Sequence, residues 1–227
     1  MMPSLLRTSL GKKVLMAVSG LILVGFVIMH MLGNLTIFLG PDALNAYALK
    51  LRHFGALLWV ARGVLLLAVI VHIVTSIQLT IENRRARPVG YRVQRNVKTT
   101  LGAKTMALSG FLLLAYIVYH LLHFTFGVTH PHLAHLTDPL GRHDVYTMVV
   151  VSFQNPYLSL AYIIAMAILC LHLGHGIGSA PQTLGLNTEQ TIPLFQRVGR
   201  ILAGLLFLGY SAIPLSVLTG FIRPTAP

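Results

Sequence analysis

The chain has 227 residues, of which 55% are hydrophobic and only 10% charged. A soluble domain of this size carries charge on about a quarter of its residues, so a water-soluble globular protein is excluded. The formal charge of +12 does not mark a nucleic-acid surface, because the cations cluster beside long apolar runs, and the single cysteine, Cys170, excludes an intrachain disulfide or a thiolate metal site.

In chain order, the start MMPSLLRTSLGKK resembles the basic end of a signal peptide. The apolar run beginning at Val14 is too long for such a peptide and lacks a small-x-small cleavage site, so it reads as a retained span. Five apolar runs are long enough to cross a bilayer, at 14–38, 57–81, 105–128, 157–178 and 199–222. The expected fold is an all-α membrane bundle of five transmembrane helices, forming one domain over 1–227. Between the first two spans, GPDALNAYALKLRHFG places Leu44, Tyr47, Ala48 and Leu51 on one helical face, which predicts a short interfacial helix. The loop 82–104 is basic, with Arg84, Arg85, Arg87, Arg92, Arg95, Lys98 and Lys104, and is broken at Pro88-Val89-Gly90. Residues 129–155 read as a loop carrying His130, His132, His135 and His143, and Asn155-Pro156 opens the fourth span. The segment 179–196 is rich in turn residues.

Arg7, Lys12 and Lys13 precede the first span, the basic loop joins the second to the third, and Arg197 and Arg200 precede the fifth. The other side has only Lys50, Arg52, Arg142 and Arg223, with Arg62 just inside the second span. By the positive-inside rule the N-terminus is cytoplasmic and the C-terminus outside. The basic loop could also dock a cytoplasmic partner or anionic lipid.

Six histidines, His30, His72, His120, His123, His172 and His175, fall within spans. Ionisable groups in hydrocarbon cost several kcal/mol unless partnered, and they mark function by default. Depth sorts them. At 1.5 Å per residue, His30 and His120 each lie roughly 6 Å outward of their span midpoints, and His72 and His172 roughly 4–8 Å toward the cytoplasm. The first and third spans share the repeat Ser-Gly-x9-His, at Ser19-Gly20…His30 and Ser109-Gly110…His120. Two imidazoles facing one another from separate helices are the axial ligands of a six-coordinate b-type haem, and the glycines are expected to make room for the macrocycle. His30 with His120 then hold an outer haem, and His72 with His172 an inner one. His123 and His175 stand one turn from His120 and His172, so spacing alone leaves each choice open. Depth favours His120 and His172, leaving the other two to hydrogen-bond a propionate or a quinone, or to snorkel.

With SGLILVGFVIMHMLGN, VHIVTSIQLTIENRRARP, SGFLLLAYIVYH and LHLGHGIGS in view, nearly the whole chain resembles the five-helix, di-haem cytochrome b membrane subunit of succinate dehydrogenase/fumarate reductase complexes. The family's histidine followed four residues later by glycine selects His172 with Gly176. The resemblance implies two haem b groups, a flavoprotein subunit and an iron–sulfur subunit on the cytoplasmic side, and a quinone (menaquinone or ubiquinone) as electron partner in the cytoplasmic (inner) membrane. This subunit would not act on succinate by itself. Cys170 stands where some di-haem fumarate reductases carry a glutamate linked to proton movement, so that pathway is not expected here.

Arg84, Arg85, Lys104 and Arg197 are candidate partners for inner propionates, and Arg52, His53 and Arg142 for outer ones. Asn34, Tyr47, His53 and Trp59 lie at the rim where an outer quinone could bind. One rival is a di-haem cytochrome b anchor of a hydrogenase or formate dehydrogenase. The other is a metal or haem transporter using HPHLAH at 130–135 for capture, which four ring-bearing helices without membrane carboxylates argue against.

Overall fold

The computed structural model describes residues 8–86 and 100–224. The break at Pro88-Val89-Gly90 and the cations Arg87, Arg92, Arg95 and Lys98 lie outside the described residues. The described chain is all-α, with seven helices: α1 Ser9–Asn34, α2 Pro41–His53, α3 Ala56–Arg85, α4 Leu101–His120, α5 Val145–Phe153, α6 Pro156–Thr183 and α7 Ile192–Leu218. Five of them, α1, α3, α4, α6 and α7, are long and apolar enough to cross a membrane. Their outward faces carry large apolar side chains such as Leu57, Trp59, Leu66, Leu67 and Phe111. That is the arrangement expected where hydrocarbon is the solvent and each helix closes its own backbone hydrogen bonds.

The chain divides into two compact units. The first comprises the described residues of Met1–Phe26, Gly63–Phe111 and Cys170–Gly204. Its buried positions are mostly small or polar, including Ala17, Ser19, Ala68, Thr75, Ser109 and Ala203, as suits helices that approach by backbone contact. Lys12, nearly buried, is ion-paired with Glu82 and ties α1 to α3. Between α6 and α7 the approach is so close that a Cβ on Gly199 would stand 2.9 Å from Gly178 N and 3.0 Å from Gly174 O. The closeness of Gly174 and Gly178 to a neighbouring helix is therefore a matter of packing, whereas a Cβ on Gly176 would meet nothing among the described residues within 4 Å.

The second unit comprises Val27–Arg62, Leu112–Leu169 and the described residues of Leu205–Pro227. Ile37, Leu44, Tyr146, Val150, Phe153, Tyr162, Ile213 and Val217 form its core. Gly40, with φ +102°, turns the chain out of a 3-10 turn (Leu35–Leu39) into α2. Pro41 then starts that helix with a fixed φ and no wasted donor. A short helix thus forms where the sequence placed one.

The segment 129–155 departs from its reading as a loop. It contains α5, a nine-residue apolar helix too short to span a membrane and buried at Tyr146, Met148, Val150, Ser152 and Phe153. Asp144 caps α5, its Oδ1 accepting from Thr147 N at 3.0 Å. Asn45 of α2, 1% exposed, donates to Asp144 Oδ1 at 3.1 Å and Asp138 Oδ2 at 3.3 Å, and accepts from Tyr146 N at 3.0 Å. Arg142 donates from Nε to Asp138 at 2.6 Å and bridges to Asp42 at 2.9 Å. Burial works to raise the Asp144 carboxyl pKa, but hydrogen bonds from Thr147 and Asn45 outweigh it and hold it below the usual range. Asp138 is likewise held low, burial being overcome by the hydrogen bonds and charge of Arg142. Asn155 opens α6, accepting from Tyr157 N and Leu158 N at 3.0 and 3.2 Å. α4 ends in a π-turn, Leu121–Thr125.

Candidate functional site

In the first unit, His72 of α3 and His172 of α6 face one another with ring centres 6.3 Å apart and planes at 68°. His72 Nδ1 lies 3.0 Å from the carbonyl oxygen of Met16 and 3.5 Å from Ser19 Oγ, both on α1. His172 Nδ1 lies 3.0 Å from Ser109 Oγ on α4. The glycines beside these serines are in the same contacts. A Cβ at Gly20 would meet His72 Cε1 at 3.1 Å, and one at Gly110 would meet His172 Cε1 at 3.5 Å. The protein atoms nearest to both glycines are thus those of the imidazoles themselves. His175 packs on α4, its Cβ 3.1 Å from where a Gly102 Cβ would be.

In the second unit, His30 of α1 and His120 of α4 face one another with ring centres 5.9 Å apart and planes at 83°. Their surroundings are aromatic. Tyr210 lies 6.2 Å from His30, and Tyr116, Phe124 and Tyr162 lie 5.6–6.1 Å from His120. His120 Nδ1 is buried without a hydrogen-bond partner.

His123, 2% exposed, is held quite differently. Its Nδ1 is 2.8 Å from Tyr162 Oη and its Nε2 3.1 Å from Ser152 Oγ. Ser152 gives its own proton to Met148 O, so it accepts from His123 Nε2–H, and Tyr162 donates to Nδ1. Both ring nitrogens are engaged, and the π-turn aims this ring at α5 and α6. His120 and His123, alike by spacing, are unlike in chemistry.

The remaining candidates scatter. Arg84, Arg85, Lys104 and Arg197 are exposed in the first unit. In the second, Arg142 is taken by Asp138 and Asp42, His53 is exposed, Tyr47 packs on Gly33, and Trp59 lies outward with Arg62 4.9 Å over its ring. Arg52 instead lines a cavity of about 470 Å³ together with Phe124, His135 and His143. Burial, then the Arg52 charge, push the His143 imidazole pKa down, against the Leu136 carbonyl and Asp144.

The chain matches no family model, no curated protein and no solved structure.

Among the described residues, no three His, Cys, Asp or Glu side chains converge as a metal-binding group. The imidazoles meet only in pairs. Sequence reasoning passed over the roles of Ser19 and Ser109 as neighbours of His72 and His172. The signal was present in the repeat itself, whose serines and glycines were credited to the histidine eleven residues on rather than to one on the next long helix.

Proposed function

We propose that the chain is a di-haem cytochrome b membrane subunit of a succinate:quinone oxidoreductase, in which His30 with His120 and His72 with His172 each hold one haem b. The observation that carries this reading is the separation within the two imidazole pairs. Two imidazoles that would hold one metal between them, with bonds of about 2 Å and ring centres roughly 1 Å behind the bonding nitrogens, would have centres about 6 Å apart. The measured values are 5.9 and 6.3 Å.

The donor set fits. Two imidazoles supply two of six positions, and a porphyrin supplies the other four. The unpartnered His120 Nδ1 is an unmet hydrogen-bonding group of the kind that points to a bound ligand or water. Haem held this way supplies one-electron redox chemistry in hydrocarbon. The chain's own part is to fix the imidazoles, exclude water with Tyr116, Phe124, Tyr162 and Tyr210, and offer cations to acidic groups. The succinate side of the reading, with its flavoprotein and iron–sulfur subunits, quinone partner and inner-membrane location, rests on the sequence resemblance. Five helices of spanning length support membrane residence itself.

A reduced-minus-oxidised spectrum and haem quantitation on the purified chain test the proposal. Two low-spin haems per chain are expected. A chain that takes up no haem would refute it, and co-purification with hydrogenase or formate dehydrogenase subunits would move it to the rival respiratory complex.

A further inference from the structure

We infer that the Met16 carbonyl beside Ser19-Gly20, and the Ser109-Gly110 dipeptide, are docks that lock the tautomers of His72 and His172, so that these residues position the pair. The inference rests on reading that pair as haem ligands, and it concerns which ring nitrogen is left free to ligate.

The deduction follows from which groups can only accept. A backbone carbonyl has no proton to give, so the 3.0 Å contact between Met16 O and His72 Nδ1 requires the proton on Nδ1. Ser19 Oγ gives its one proton to Leu15 O at 2.7 Å, so toward His72 it too can only accept. On the other dock, Ser109 Oγ lies 3.1 Å from Met106 O and 3.0 Å from His172 Nδ1; with its one proton on the Met106 carbonyl, it accepts from His172 Nδ1–H. A neutral imidazole with its proton on Nδ1 leaves a bare Nε2 lone pair, the form that binds metal. An Nδ1–H···O bond of this type also orients the ring and raises its basicity as a ligand.

The glycines allow the approach. His72 lies against the α1 backbone, where a Cβ at Gly20 would be 3.1 Å from Cε1 and 3.3 Å from Nδ1. At Gly110 the contact would be an ordinary 3.5 Å. The docks also differ in redundancy. His72 has a carbonyl and, at the long distance of 3.5 Å, a hydroxyl, whereas among the described residues His172 has Ser109 alone. The serines should therefore differ in sensitivity.

The test uses the full chain in detergent or nanodiscs with 15N-labelled histidine. Ring-nitrogen shifts are read in the haem-free form and assigned by His72→Gln and His172→Gln. Both rings are expected as the Nδ1–H tautomer alone. Ser109→Ala should convert His172 to a tautomer mixture, Ser109→Thr should restore the single form, and Ser19→Ala should leave His72 unchanged. In haem-loaded protein, Ser109→Ala should weaken retention of one haem about 10- to 100-fold, the same one that His72→Ala removes, and leave the other alone. An Nε2–H tautomer at either ring of the wild-type chain, or no change at His172 in Ser109→Ala, overturns the docks. Locked tautomers in a chain that never binds haem would uphold the docks and refute the ligand reading, so the two failures are distinguishable.

Discussion

Gly199→Ala tests whether α6 and α7 are held by backbone contact. The added methyl would meet Gly178 N at 2.9 Å, Gly174 O at 3.0 Å and Gly178 Cα at 3.4 Å. All three are backbone atoms, so no side-chain rotation relieves the contact, and the helices must part by about 0.5 Å to restore ordinary spacing. Overpacking of this kind costs about 1–3 kcal/mol. Alanine also favours a helix over glycine by up to about 1 kcal/mol, which obscures the result for one variant taken alone. Gly204→Ala removes that ambiguity, because it lies on the same helix with nothing within 4 Å of its added methyl. The propensity gain is common to both, so their difference isolates the clash at about 1–3 kcal/mol. At about 2–4 °C per kcal/mol for a chain of this size, Gly199→Ala should melt several degrees below Gly204→Ala in detergent, followed by circular dichroism. Equal melting temperatures, or the reverse order, would refute close backbone packing as the link between these helices.

His72→Ala and His172→Ala should each abolish the same low-spin haem signal, and His30→Ala and His120→Ala the other; loss of one common signal from His30→Ala and His72→Ala would break the pairing. His123→Ala should retain both haems while losing about 2–4 kcal/mol of stability, from the cavity and the orphaned Tyr162 and Ser152 hydroxyls, and loss of a low-spin centre would make His123 a ligand after all. Asn45→Ala should narrow the pH dependence of folding. Asp138 and Asp144 are held below their ordinary values, so their contribution is present above about pH 4 and lost as the pH falls through the lower folded values. The melting-temperature gap between wild type and variant should be wider at pH 6 than at pH 3, and a constant gap would exclude those carboxylates. Neutralising Arg84 and Arg85, with insertion orientation verified, should reduce recovery of the soluble subunits in a pull-down, and full recovery would leave them as topology signals only.

The five long helices could be read from hydropathy because about 20 apolar residues in succession have few other uses. Their ends could not, since helices continue past the apolar stretch wherever polar side chains find partners. α1 starts at Ser9 rather than near 14, carrying Lys12 to Glu82, and α7 starts at Ile192 rather than 199. The helix α5 was hidden because nine residues are too few for a span, though Asp144 ahead of them is a capping residue that could have flagged it. The buried Asn45 was not foreseeable, as its three partners lie 93 to 101 positions away. Counting depth along the spans sufficed to tell which histidine rings lie beside which. Depth favours His120 over His123, but the partners of His123 are not legible, because nothing in LLHFT announces a π-turn.

The two docks join helices that are neighbours among the spans, α1 to α3 and α4 to α6, across 53 and 63 residues. Ser19 and Ser109 are ninety positions apart, as are His30 and His120, while His72 and His172 are one hundred apart. The chain therefore has the pattern of a helical hairpin written twice, followed by a single closing helix. Each copy contributes one imidazole to both pairs, and each contains its own lock. A nascent chain can close the first lock as soon as α3 has been made, before any residue of the second copy exists, so His72 is oriented before its partner imidazole, His172, is translated.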